Sequence, residues 1–171
     1  MKDLTAYLRS ICSCANIDFE DQGWASNADI RAEPGWYFIR TTAPLDVLQR
    51  QTLWGSLYTR ADGKVAKVNN INIAARAARY SSDLQSYWNV TDVYSGMASK
   101  LHDRTREHTT PDPGTGGLAL ARYPELHQFQ WQFFFVTLRR FREEISCTDM
   151  LLRLGEQMWR AENGWPLLCS R

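Results

Sequence analysis

Apolar positions along the chain change period several times, and each change predicts an element. Leu4, Leu8 and Ile11 recur at helical spacing and predict a short helix over 3–13. A polar, turn-rich stretch then runs to Glu33-Pro34-Gly35, where Pro-Gly signals a turn. Trp36-Tyr37-Phe38-Ile39 is aromatic and β-branched, which predicts a strand. Pro44 suits the start of a short helix over 44–52. Residues 54–59 read as a second strand, and Asp62-Gly63 as a tight turn into a third over 64–68. The alanine-rich run 71–80 predicts a helix, with Ile71, Ala74, Ala75 and Ala78 on its packing face and Arg76 and Tyr80 opposite. Residues 83–107 predict one or two more helices, with Trp88, Val90, Val93, Tyr94, Met97 and Leu101 as apolar contacts. A loop covers 108–117. Residues 129–138 make the strongest strand, and the unbroken Phe133-Phe134-Phe135-Val136 predicts a central position buried on both faces. The clearest helix runs over 140–161 and stops at Asn163-Gly164-Trp165-Pro166.

This order of elements predicts an α+β fold: a small three-stranded mixed or antiparallel sheet flanked by helices. Strands at 36–41, 56–60 and 129–138 are expected to share that sheet. The pattern divides the chain into an N-terminal helix and polar extension, 1–33, and a main domain, 34–171. With 171 residues, 44 % of them hydrophobic, the chain can bury a core without disulfides. No run approaches the roughly 18 apolar residues of a membrane helix, and the first residues lack the apolar block of a secretory signal. The expectation is a cytoplasmic protein with reduced thiols and no membrane partner. Cys12, Cys14, Cys147 and Cys169 lack the usual zinc spacing, so buried free thiols are the plainer reading.

Net charge is +1, which gives no overall basic field. The charge is unevenly spread. Residues 1–33 carry three Lys/Arg against six Asp/Glu, and residues 60–108 carry eight against five. A nucleic-acid partner would therefore be met by the middle of the chain, through Arg60, Lys64, Lys67, Arg79, Arg104 and Arg106, with Arg139, Arg140 and Arg142 beyond. His102 and His108 flank two of these arginines, in either a phosphate-contacting segment or a solvated helix end. On the long C-terminal helix, Glu156 falls in the apolar stripe of Phe141, Ile145, Leu152 and Trp159. A carboxylate there has to be paired, protonated or bound to a cation, which makes it a candidate site residue.

Residues 34–39, Pro-Gly-Trp-Tyr-Phe-Ile, resemble the first strand of the GIY-YIG nucleases, which opens Gly-Ile-Tyr after a turn. Residues 57–61, Leu-Tyr-Thr-Arg-Ala, resemble their second strand, Leu-Tyr-(Ile/Val)-Gly-Lys; a register on 63–68 would lose the tyrosine. Asn72-Ile73 with Arg76 resembles the Asn-(Leu/Ile)-x-x-Arg of the first helix, and Tyr80 stands four residues on, where the family carries His or Tyr. Glu156, followed by Pro166-Leu167-Leu168, resembles the metal-binding glutamate of a late helix and the Pro-Leu-Leu-Asn after it. The chain departs from the pattern at Arg60, in place of glycine, and at Cys169, in place of asparagine.

The resemblance implies a GIY-YIG-like fold and a metal-dependent endonuclease that hydrolyses phosphodiester bonds in DNA. Glu156 would hold Mg2+ or another divalent cation, and Arg76 would clamp the scissile phosphate. Tyr37 would position or deprotonate the water, with Tyr58 and Tyr80 assisting. Both Tyr37 and Tyr58 would then have to project from one face of the sheet. The two departures keep a second expectation open: a catalytically inactive GIY-YIG-like domain that binds nucleic acid or inhibits a partner protein. A homodimer also stays open.

Overall fold

The computed structural model describes residues 12–19, 30–52, 57–59, 62–67, 70–110, 116–138 and 148–170. In chain order its elements are β1 (Ser13–Asn16), β2 (Gly35–Thr41), α1 (Leu45–Gln49), β3 (Leu57–Thr59), β4 (Val65–Lys67), α2 (Ile73–Ala77), β5 (Trp88–Asn89), β6 (Asp92–Ala98), α3 (Leu101–Thr109), β7 (Trp131–Thr137), α4 (Thr148–Asn163) and β8 (Trp165–Pro166). Short 3-10 turns lie at Ser82–Tyr87, Leu120–Arg122 and Pro124–Leu126.

The fold is α+β, built on an antiparallel sheet of four strands in the order β1-β7-β2-β6. Four strands replace the expected three. The added edge strand, β1, comes from within the first 33 residues, where Ser13 pairs with Phe135. As its apolar run predicts, β7 is internal. Phe133 and Phe135 are buried on one face, while Phe134 stacks on Phe38 on the other. Strand β2 alternates just as strictly, burying Tyr37, Ile39 and Thr41 and directing Trp36 and Phe38 to the opposite face. Each large apolar side chain buried in this way contributes about 1.5–3 kcal/mol.

Helix α4 covers the Trp36 face. Trp159 stacks on Phe38 with ring centroids 5.1 Å apart, and Trp36 Nε1 donates to the Leu152 carbonyl at 2.6 Å. Gly155 permits this close approach, because a Cβ there would overlap the Trp36 indole. The helix ends at Asn163, and Gly164 adopts φ 83°, the left-handed stop expected of it. Helix α3 and the segment 118–126 cover the Tyr37 face, so the sheet lies between helical layers.

Three expectations are corrected. Residues 57–59 do not join the main sheet; β3 pairs only with β4, across the Asp62-Gly63 turn, in a separate hairpin. Helix α2 packs through Ile73 and Ala77, both fully buried, while Ala78 is exposed and Ala74 partly so. The helix spans only five residues, capped by the Asn72 side chain on Ala75 N–H, and its one large apolar residue decides which face turns inward. The stretch 83–107 is not purely helical. It contains the edge strand β6, whose two faces are both largely buried, so its pattern of apolar positions mimics a helix. The helix expected over 3–13 falls outside the described residues up to Ile11, and Ser13 begins a strand.

Candidate functional site

Helix α3 turns Leu101, Thr105 and His108 into the core, at the four- and three-residue spacing that puts them on one face. Its first N–H groups are satisfied from the chain before β2: Leu101 N–H donates to the Glu33 carbonyl at 3.0 Å and His102 N–H to that of Arg31 at 3.2 Å. This fixes α3 against the strand that carries Tyr37.

Tyr37 is 3 % exposed and His108 0 %. Leu118 N–H donates to His108 Nδ1 at 3.2 Å, so the neutral ring carries its proton on Nε2, which lies 2.9 Å from the Tyr37 hydroxyl. Arg104 Nε also donates to that hydroxyl, at 2.8 Å. The same guanidinium reaches the Tyr94 hydroxyl through Nη2 at 3.2 Å and Glu107 through Nη1 at 2.5 Å. Burial pushes the Tyr37 pKa well above its usual value, against the opposing charge of Arg104. Burial first, and then Arg104, hold His108 well below its usual value, so the ring is neutral. Tyr37 fits here because its strand partner across β6 is Gly96. A Cβ on Gly96 would occupy the space of the Tyr37 hydroxyl.

Glu156 approaches from α4, and its side chain is 13 % exposed. Its Oε1 accepts from Arg160 Nη2 at 2.5 Å. Among the described residues, Oε2 has no partner. Burial raises the Glu156 pKa; Arg160, and more weakly Arg104, oppose the rise. The Glu156 charge is felt in turn at Tyr94. Arg160 also donates to Ser95 Oγ at 2.9 Å, and it lies over the Trp165 ring, 4.7 Å from the centroid. Cys169 completes this corner. Its thiol donates to the Ser95 carbonyl at 3.2 Å and accepts from Ser95 N–H at 3.3 Å, so the terminal segment is bonded to edge strand β6.

Beside Tyr94 opens a cleft of about 450 Å³, lined by Asn72, Ala75, Arg76, Arg79, Tyr94 and Gly116 among others. Among the described residues no carboxylate lines it. Arg79 is committed to the C-terminal segment, donating to the carbonyls of Leu167 at 3.0 Å and Cys169 at 2.5 Å. Arg76 makes no side-chain hydrogen bond or ion pair with any described residue.

The structure therefore brings Tyr37, Tyr94, Arg104 and His108 together, with Arg76 and Arg79 on the adjoining cleft; Glu156, on the helix that covers the other face of the sheet, is linked to Tyr94 and Arg104 through charge alone. Strand β3, which carries Tyr58, lies in a different sheet from the strand that carries Tyr37. Tyr80 packs on the core. Lys64 is exposed, 3.9 Å from Asp62, Lys67 ends β4, and Arg106 is exposed on α3. Arg60, Arg139, Arg140, Arg142 and Cys147 lie outside the described residues. Among the described residues no three His, Cys, Asp or Glu side chains cluster to hold a metal ion.

Sequence reasoning read Tyr94 only as an apolar contact, and placed Arg104 and His108 in either a phosphate-contacting segment or a solvated helix end. A signal was available. Tyr94-Ser95-Gly96 has the form Tyr-x-Gly, and Leu101, Arg104 and His108 follow at the spacing Leu-x-x-Arg-x-x-x-His. No protein-family model, no curated protein and no solved structure matches this chain. No helix among the described residues is long and apolar enough to cross a membrane.

Proposed function

We propose that this chain is a GIY-YIG-type endonuclease that hydrolyses phosphodiester bonds in DNA with a divalent cation. In this reading its second motif is Tyr94-Ser95-Gly96, and its helix motif is Leu101-x-x-Arg104 followed by His108. The observation that carries the reading is the hydrogen-bonded set of Tyr37, Arg104, Tyr94 and His108, to which Glu156 is coupled through charge. These are the residue types the resemblance calls for, on a first strand and a second strand that are direct neighbours. The glycine that Arg60 could not supply is present as Gly96, and the His that follows the arginine by four is His108.

The donor set fits magnesium. Glu156 offers a carboxylate oxygen with no partner among the described residues, and magnesium keeps most of its own water shell. When bound, the ion supplies Lewis-acid stabilisation of phosphoryl charge and an acidified water. The protein side chains do the rest. Arg104, already held by Tyr37, Tyr94 and Glu107, presents fixed positive charge to the phosphoryl oxygens without reorganising during the reaction. Tyr94 faces the cleft and is the hydroxyl that can orient the attacking water. Tyr37 is buried behind it and positions Arg104.

The test is cleavage of supercoiled plasmid by purified protein with magnesium and with EDTA. Magnesium-dependent nicking is expected. Arg104→Ala and Glu156→Gln should each lower the rate by about 10²–10³-fold, the usual cost of losing one transition-state charge partner. DNA binding by Glu156→Gln should survive. Absence of nicking with either magnesium or manganese would reject the catalytic reading. The 2.5 Å ion pair between Arg160 and Glu156 favours a second reading, in which the domain is inactive and binds nucleic acid or a protein partner. Retained DNA binding without cleavage is the outcome that selects its nucleic-acid form.

A further inference from the structure

The cleft beside Tyr94 holds an arginine that the catalytic cluster does not use. Arg76 lies on α2, in the stretch between the two motif strands, and its partly buried guanidinium is unpaired among the described residues. In an otherwise well-bonded region this is unusual. Arg79, Arg104, Arg122 and Arg160 each donate to named oxygens. The cleft has room for a phosphate and its sugar, and it carries positive charge from Arg76 and Arg79 with no carboxylate on its lining among the described residues. Tyr94 forms part of its wall, so a strand whose phosphate meets Arg104 would pass directly into it.

We propose that this cleft is a second phosphate subsite, in which Arg76 holds a phosphodiester group of the nucleic-acid backbone next to the scissile one. The proposal rests on the nuclease reading for the position of the scissile phosphate, but it makes a separate claim about binding. Arg76 is a positioning residue here. It fixes the path of the strand, while Arg104 meets the reacting phosphate. Contact with backbone rather than base edges makes the effect independent of DNA sequence.

The experiment measures binding of a labelled DNA duplex in calcium, at several salt concentrations, by wild type, Arg76→Ala and Arg76→Lys. Neutralising one phosphate contributes about 0.9 to the slope of log K against log salt. Arg76→Ala should weaken binding of unrelated sequences to a similar extent and flatten that slope by about one. Arg76→Lys should recover the slope, because a point charge suffices. In magnesium, the loss in Arg76→Ala should fall on KM rather than kcat.

Unchanged affinity and slope in Arg76→Ala overturn the subsite, and leave the nuclease reading standing if wild type still nicks plasmid. A flattened slope together with a wild type that never cleaves keeps the subsite and overturns the nuclease. No binding of duplex by wild type overturns both. An Arg76→Ala defect confined to kcat, with affinity unchanged, returns Arg76 to the reacting phosphate and rejects the second subsite.

Discussion

His108 shows how one buried ring ties the stability of the fold to pH. Folded, it is neutral, its pKa held well below 6.5 by burial and by Arg104. Unfolded, the same ring takes a proton near pH 6.5. Just below that pH the unfolded chain therefore binds more protons than the folded one, and stability falls as the pH drops. The limiting slope for one proton is about 1.4 kcal/mol per pH unit. Urea midpoints measured from pH 7.5 to 5 should decline, and His108→Gln, whatever its own stability, should lose this component. A His108→Gln profile parallel to wild type would assign the decline to other groups. In the sequence, His108 is one of three histidines and stands in a charged segment, where the spacing from Leu101 and Arg104 is its one local mark. Its role depends on Tyr37, 71 positions away, and on the Leu118 N–H.

At the scale of elements, α4 is set on the sheet by one glycine. In a helix interior, alanine is favoured over glycine by about 1 kcal/mol. At position 155 the added Cβ would overlap the Trp36 indole, which is pinned by its bond to the Leu152 carbonyl. Overpacking costs about 1–3 kcal/mol and here outweighs the propensity gain. Gly155→Ala should therefore destabilise the protein, measured as a lower urea midpoint, and it should displace Glu156 along with the helix. A more stable Gly155→Ala would mean that Trp36 can rotate away. The existence of α4 and its stop at Gly164 are legible from periodicity. The contact that positions it belongs to a strand 119 residues earlier and leaves no local trace.

For the molecule as a whole, a net charge of +1 supplies no long-range attraction, so under the proposed function DNA affinity would come from the cleft and its rim. The metal reading likewise has a global readout. A ligand present at ten times its dissociation constant stabilises the folded state by about 1.4 kcal/mol. For a chain of this size that corresponds to about 3–5 °C in Tm. Millimolar magnesium should raise the wild-type Tm in this way and leave Glu156→Gln unmoved. Without metal the variant should melt lower, because Arg160 exchanges a charged acceptor for a neutral one; a loss of about 1–2 kcal/mol is expected. If the wild-type melt ignores magnesium while the variant is destabilised, Glu156 serves Arg160 alone.

The sequence by itself determined strand β2, the central place of β7, the hairpin at Asp62-Gly63 and the long C-terminal helix. Each of these is written in a local period or a turn pair. It also marked Glu156 as a carboxylate in an apolar stripe, and the structure supplies Arg160 as the partner. Only the tertiary structure decided which tyrosine stands beside Tyr37. The motif read on Tyr58 and Arg76 and the cluster assembled on Tyr94 and Arg104 are equally plausible as short strings of residues. Strand pairing separates them. β6, not β3, lies against β2, and Gly96 leaves the space that the Tyr37 hydroxyl fills. That strand has buried residues on both faces and so lacks the alternation that reveals β2, and its place is fixed by contacts between residues far apart in the chain.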